Sequence, residues 1–324
     1  MRAVRVHDLS GPKGLRVDTL ADPSPVAGEV LVEVRAAGVN FPDVLLSYGK
    51  YQFKPATPFI PGGEAAGVVR SVGAGVTSVK PGDRVALTLL NGAYAELVAA
   101  PELAVVKLPD NVTFEVGAAT LLTYLTTVHA LVDRAALKKG ETLLVLGAAG
   151  GVGVAAIQLG KLLGARVIAA VSTDEKATFC KSQGADDTIV YSREDLKERV
   201  KVLTAGAGAN VVYDAVGGPY AEPALRATAW EGRYLVVGFA AGEIPKIPLN
   251  LVLLKGCQII GVFWGQFAMR DPARNHENAA RIFSWVAEGK LAPHIDGVFP
   301  FDRAGEVLER MEQRLVKGKV VLVP

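Results

Sequence analysis

The chain has 324 residues, long for one compact domain and comfortable for two; half are hydrophobic and 21% charged, which excludes disorder as a description of the whole chain. Thirty-five Lys and Arg against 33 Asp and Glu leave a net charge of +2, so no basic field points to nucleic acid and no acidic tail is present. Two cysteines, Cys180 and Cys257, exclude a disulfide framework and a Cys-rich zinc module.

The first residues, MRAVRVHDLSG, alternate apolar and polar side chains and lack a hydrophobic stretch, so they read as a strand and not a signal peptide. Residues 30–35 (VLVEVR), 65–72 (AAGVVRSV) and 83–87 (DRVAL) read as strands, with PSPVAGE and KPGD as turns between them. Up to about residue 115 this is β-barrel or sandwich material. The uncharged stretches 116–132 and 142–160 are long enough to consider as membrane spans. The first holds His129 and several threonines, and the second changes from a β-like run through a glycine turn to a small-residue helix, so both read as pairs of buried elements. A cytoplasmic protein without a membrane segment is expected.

From about residue 120 the rhythm becomes strand, helix, strand. Strands are expected at 142–146, 166–171, 188–191, 210–216, 233–238 and 258–263, and helices at 152–163, 173–182 and 193–203. Nearly continuous apolar strands separated by helices predict a parallel sheet covered on both faces, an α/β arrangement. Residues 272–289 and 302–317 read as helices, and KVVLVP as a final strand.

The segment 147–153, GAAGGVG, follows a strand and opens a helix. A dinucleotide pyrophosphate must approach backbone N–H groups at a helix N-terminus, and any Cβ in its way would hold it off. Ala149, Gly150, Gly151 and Val152 form the expected cradle. Gly150 and Gly151 permit close approach, and Gly153 allows the helix to pack on the strand. A carboxylate at the end of the second strand would favour NAD, but that end reads Val171-Ser172-Thr173. Ser172, Lys176 one turn on and Tyr191 at the end of the next strand suit a 2′-phosphate, hence NADPH. The competing reading of Lys176 is a solvated helix lysine.

The motifs GVNFPDVL (38–45), PGGEAAGVV (61–69), KPGDRVA (80–86), LTTVHAL (125–131), GAAGGVG (147–153) and YDAVGG (213–218) resemble, nearly end to end, the zinc-independent quinone oxidoreductases of the medium-chain dehydrogenase/reductase superfamily. The resemblance implies a GroES-like β-rich catalytic domain, residues 1–120 and 263–324, plus a Rossmann doubly wound parallel-sheet domain, residues 121–262. It also implies Asn40 and Thr126 near the nicotinamide, and Ser172, Lys176 and Tyr191 around the 2′-phosphate. Val216, Gly217, Phe239, Phe263 and Lys319 would line the rest of the cofactor groove. A homodimer paired through the 258–263 edge of the sheet is a further implication.

Zinc members of that superfamily carry a Gly-His-Glu motif where this chain has Gly62-Gly63-Glu64, and a first-domain cysteine ligand that is missing near Asn40. His7, His129, His276 and His294 are scattered without ligand spacing, so no metal is expected. Without a Lewis acid, alcohol oxidation is disfavoured relative to hydride delivery to a quinone or an α,β-unsaturated carbonyl, whose developing oxyanion needs hydrogen-bond donors and a proton. Asn40, Tyr51 and a ribose hydroxyl positioned by Thr126 are the candidates. Leu45 fills the place where many relatives carry a tyrosine; Tyr48 and Tyr51 lie nearby, and Tyr51 is preferred, the alternative being that both only wall the cleft. Asp43 and Glu64 read as loop-bracing carboxylates and not as a catalytic pair. Two rival functions remain open: an enoyl-thioester reductase using Lys50 and Lys54 at the cleft mouth, and a non-catalytic NADPH-binding structural or RNA-associated protein.

Overall fold

The computed structural model describes residues 1–324. The chain folds as two compact units, one formed by Met1–Leu122 with Ala268–Pro324, the other by Thr123–Phe267.

The first unit is built on a seven-stranded sheet. Its path runs Ile295–Pro300, Lys319–Val323, Glu29–Val39, Glu64–Val72, Arg84–Thr88 and Val105–Lys107, with Leu97–Pro101 also paired to Glu29–Val39. The alternation of VLVEVR sends Val30, Val32 and Val34 into a core shared with Leu87, Val98 and Leu322. Val320 lies opposite Val39, and Gly38 lies opposite Glu64. The end of one strand, the start of a second and the start of a third therefore meet, bringing Asn40, Glu64 and Lys319 together from three distant parts of the sequence. Gly38 is required there, because a Cβ on it would stand 2.0 Å from Ala118 O and 2.6 Å from Glu64 Oε1.

The second unit is a six-stranded, wholly parallel sheet in the order Asp187–Val190, Arg166–Val171, Thr142–Leu146, Ala209–Asp214, Thr228–Val236, Gln258–Gly261. Numbered along the chain this is 3-2-1-4-5-6, the doubly wound order. The direction of winding reverses between Thr142–Leu146 and Ala209–Asp214, and the carboxyl ends of these two strands carry the glycine-rich turn and the Asp214–Gly217 turn.

Local chemistry shifts several boundaries from those expected. The helix expected from residue 193 begins at Leu196, because Asp195 caps it by accepting from Glu198 N at 2.9 Å. Thr173 is likewise the cap of the helix Asp174–Ser182, accepting from Lys176 N. The helix expected over 302–317 is a 3-10 turn, Phe301–Arg303, followed by Ala304–Glu312; it ends where Arg314 adopts φ +60°, outside the right-handed region. The uncharged stretch 116–132 holds the helix Leu121–Val128 and the start of a π-helical turn, His129–Arg134, that runs on into Asp133 and Arg134. No helix is long and apolar enough to cross a membrane.

Candidate active site

In the second unit the glycine-rich turn has the geometry its sequence requires. Gly147 has φ +67°, and Gly153 packs so closely that a Cβ would stand 2.4 Å from Gly147 O. Gly150 differs: its only neighbour within 4 Å of a Cβ would be Gly147 O, at 3.5 Å. Gly150 begins the helix Gly151–Leu162, whose first turn presents unpaired N–H groups to an anion. Ala149 is buried at the turn, and Val152 is half-buried.

Across the switch point Asp214 is buried and braces the next turn. Its Oδ1 accepts from Val216 N and Gly217 N, both at 2.8 Å, and its Oδ2 accepts from the Tyr234 phenol. Burial raises the Asp214 carboxyl above its ordinary pKa, opposed by these bonds. Gly217 has φ +64° and lies under the Phe239 ring, 2.8 Å from where its Cβ would be, while Val216 Cγ2 stands 2.7 Å from the Cβ position of Gly147. Gly147, Val216, Gly217 and Phe239 are thus contiguous. Sequence reading passed over Asp214 and Tyr234; the carboxylate in YDAVGG, two residues before Val216, was the available signal.

At the far side of the same sheet Ser192 Oγ donates to Ser172 O at 2.8 Å, tying two strand ends together. Tyr191 packs on Tyr220 with ring centroids 4.2 Å apart. Lys176 is in the first turn of the helix capped by Thr173. Arg193, not singled out from the sequence, pairs with Asp174 beside them. Thr126 is half-buried on Leu121–Val128, where its neighbour Thr127 bonds to Thr123 O and to the Tyr213 phenol. Phe263 is 51% exposed beyond the edge strand.

The first unit holds a buried polar cluster at the strand junction. Lys319 Nζ donates to Val39 O at 2.8 Å, Asn40 Oδ1 at 2.5 Å and Glu64 Oε1 at 2.7 Å. Asn40 Nδ2 donates to Glu64 Oε1 at 2.9 Å, and Glu64 Oε2 accepts from Leu122 N at 2.8 Å. The Lys319 and Glu64 side chains are 4% and 1% exposed. Asp43 Oδ2 accepts from Asn40 N at 2.8 Å and from the Tyr94 phenol at 2.7 Å. Burial pushes the Asp43 carboxyl up to about 6 against these bonds and the nearby Lys319 charge. The resemblance assigns Lys319 to the cofactor groove; here all three of its N–H donors are engaged within the protein. Tyr94 escaped sequence reading because no local motif marks it.

Tyr51 packs with Val6, Leu46 and Phe59, its phenol raised in pKa by burial and by the Asp43 charge. Tyr48 faces elsewhere: its OH donates to Glu312 at 3.1 Å, and Lys50 Nζ lies 5.0 Å from its ring centroid. Burial pushes the Cys180 thiol up to about 12, so it is an inert core residue.

The donor set does not fit zinc. No group of three or more His, Cys, Asp or Glu converges in a way that could hold a metal ion. Gly63 supplies no ligand, and a Cβ there would stand 3.1 Å from Leu122 Cδ1. The Glu64 carboxylate already faces the Lys319 ammonium.

The fold and these turns define a two-unit dehydrogenase of the medium-chain dehydrogenase/reductase superfamily. Family models agree: residues 26–110 match the alcohol dehydrogenase GroES-like domain and residues 151–283 the zinc-binding dehydrogenase domain. The chain is 40% identical over 324 residues to the quinone oxidoreductase-like protein 2 homolog of Nematostella vectensis, covering 99% of this chain and 88% of that protein. It is 37% identical over 325 residues to a quinone oxidoreductase of Pseudomonas aeruginosa, covering 100% and 99%. The Escherichia coli quinone oxidoreductase complexed with NADPH superimposes with a TM-score of 0.93 at 32% identity, covering 100% of both chains. The chain belongs to the quinone oxidoreductase family of that superfamily.

Proposed function

We propose that this protein is an NADPH-dependent, zinc-independent reductase of quinones or α,β-unsaturated carbonyls. The observation that carries the reading is the glycine-rich turn at the switch point of the 3-2-1-4-5-6 sheet, with Gly150 open where a phosphate would approach. Kinship with quinone oxidoreductases, one of them solved with NADPH, supports it. The chemistry the cofactor supplies is a hydride from the nicotinamide; the acceptor oxygen then takes up a proton, from a side chain or from solvent.

On this reading the turn 147–153 seats the pyrophosphate through Ala149, Gly150, Gly151 and Val152. Ser172, Lys176 and Tyr191 hold the 2′-phosphate, with Arg193 beside them. Val216, Gly217 and Phe239 wall the groove, and Phe263 extends it. Asn40 and Thr126 serve the nicotinamide end. Tyr51 is the donor candidate: its phenol, held among Val6, Leu46 and Phe59, is protonated at neutral pH like any tyrosine, whereas the Tyr48 hydroxyl is committed to Glu312.

The proposed assembly is a cytoplasmic homodimer joined along the edge strand Gln258–Gly261. The preceding helix Leu249–Lys255 leaves Leu249, Leu253 and Leu254 at least 70% exposed, and Ile259 lies on the edge itself. Light scattering tests this, and a monomer at micromolar concentration rejects it. The rival enoyl-thioester reading would use Lys50, whose Nζ lies 5.0 Å from the Tyr48 ring centroid, and the exposed Lys54.

The deciding experiment is an NADPH oxidation screen with 1,4-benzoquinone, 3-penten-2-one and crotonyl-CoA, with metal content measured on the same sample. Turnover of the quinone or the enone by metal-free protein, unchanged by a chelator, is expected. NADPH binding without turnover of any acceptor favours a non-catalytic role, and turnover confined to crotonyl-CoA favours the thioester reductase.

A further inference from the structure

The Asn40 amide is clamped at both ends. Lys319 Nζ donates to its Oδ1 at 2.5 Å, while its Nδ2 donates to Glu64 Oε1 at 2.9 Å and to Gly38 O at 3.3 Å. An ammonium carries only donors and a carboxylate only acceptors, so the two charges fix which end of the amide is oxygen. Reversing the amide would set N–H against N–H and O against O. Both Nδ2 hydrogens are used, and what Asn40 has left is the second lone pair of Oδ1. The Lys319 donors are also used up, by Val39 O, Asn40 and Glu64.

We propose that Lys319 and Glu64 are a positioning pair that presents Asn40 Oδ1 as a hydrogen-bond acceptor to a donor group at the nicotinamide end of the cofactor, a ribose hydroxyl or the carboxamide NH₂. Lys319 then acts on the cofactor only through Asn40. This rests on the reading that Asn40 contacts the cofactor. It also removes Asn40 from the donors available to a developing oxyanion and leaves that task to Tyr51 or solvent. A buried ion pair is seldom more stabilising than apolar residues of the same volume. What this pair adds is a defined orientation for the amide between the two charges, delivered by strand registers that join residues 40, 64 and 319.

The test uses the full-length protein and direct binding of two probes, NADPH and adenosine 2′,5′-bisphosphate, which lacks the nicotinamide end. The variants are N40A, the charge-neutral double K319M/E64Q, which leaves neither member of the ion pair as a lone charge, and the triple. N40A and the double are each expected to weaken NADPH about tenfold, while the triple is no weaker than N40A within about twofold, because all act on one contact. Binding of the bisphosphate is expected to be unchanged throughout. If the double fails to fold, E64Q alone, which keeps the Lys319 cation, is expected to give a smaller loss that vanishes in the N40A background. Losses that multiply in the triple, a double that binds NADPH normally, or equal weakening of both probes overturn the positioning role. Unchanged NADPH binding by N40A instead overturns the reading of Asn40 as a cofactor contact.

Discussion

The Tyr94 phenol donates to Asp43 Oδ2 at 2.7 Å, and neither side chain is reached by water: Tyr94 is fully buried and Asp43 is 2% exposed. The same carboxylate oxygen accepts Asn40 N and so closes the first turn of the helix Phe41–Ser47. Two donors are not enough to offset the loss of hydration, and the carboxyl titrates near 6 in place of the ordinary value of 3.8. A raised carboxyl pKa means that the native state holds the proton more tightly than the unfolded chain. The contribution of Asp43 is therefore most favourable below about pH 4 and is lost as pH rises through 6. At neutral pH the ionised group costs about 3 kcal/mol, taken from the size of the shift.

Asp43→Asn retains an oxygen for Tyr94 and for Asn40 N but cannot ionise. Urea unfolding between pH 4 and 7 is expected to show a flatter stability profile for the variant than for the parent. An identical slope in both proteins would remove Asp43 as the titrating group.

Asp214 bonds Val216 N, Gly217 N and the Tyr234 phenol from one buried side chain. Removing the phenol hydroxyl leaves Oδ2 of a buried carboxylate without that donor, a loss of roughly 1–3 kcal/mol. Tyr234→Phe is expected to lower the unfolding free energy by that amount, seen as a lower urea midpoint with an unchanged m-value. Asp214→Ala is expected to loosen the turn itself and weaken NADPH binding as well, measured by calorimetry. A Tyr234→Phe midpoint equal to that of the parent would mean that the bond adds nothing to stability.

What the sequence makes legible here depends on how local the physics is. The glycine turn and the parallel strands are written within a few residues of one another, so Gly147 and Gly153 occupy the positions their neighbours dictate, whereas the caps Thr173 and Asp195 start their helices later than the sequence pattern indicates. The resemblance also names Asn40 and Lys319 but not the bond between them, which arises from the antiparallel register of Val320 on Val39. Nor does any spacing link Asp43 with Tyr94, 51 residues apart. The early end of the last helix depends on one residue, Arg314, taking a positive φ in a stretch whose composition is helical throughout.

Lys176 sits one turn into the helix after Ser172, at the end of the second strand of the parallel sheet. A charge-assisted bond to a phosphate is worth roughly 1.5–3 kcal/mol, which corresponds to at least a tenfold change in affinity. Lys176→Glu is expected to raise the NADPH KM about tenfold or more while sparing NADH, which lacks the 2′-phosphate. Equal effects on the two cofactors would reduce Lys176 to a solvated helix lysine.

Gly150 and Gly153 separate the packing role of the glycine-rich turn from its binding role. A methyl group on Gly153 would lie 2.4 Å from Gly147 O and 2.6 Å from two Ala148 backbone atoms, so backbone must move to admit it. A methyl group on Gly150 meets only Gly147 O at 3.5 Å, an ordinary contact, and the φ of −81° there suits alanine. Gly153→Ala is therefore expected to lower the melting temperature by several degrees, in line with an overpacking cost of about 1–3 kcal/mol. Gly150→Ala is expected to melt within about a degree of the parent. It is nonetheless expected to lose NADPH affinity, since its methyl would occupy the approach to the first-turn N–H groups. Calorimetric titration and a thermal melt on the same two variants check both halves. A Gly150→Ala protein that binds NADPH as tightly as the parent would mean that the phosphate does not approach the backbone at this residue.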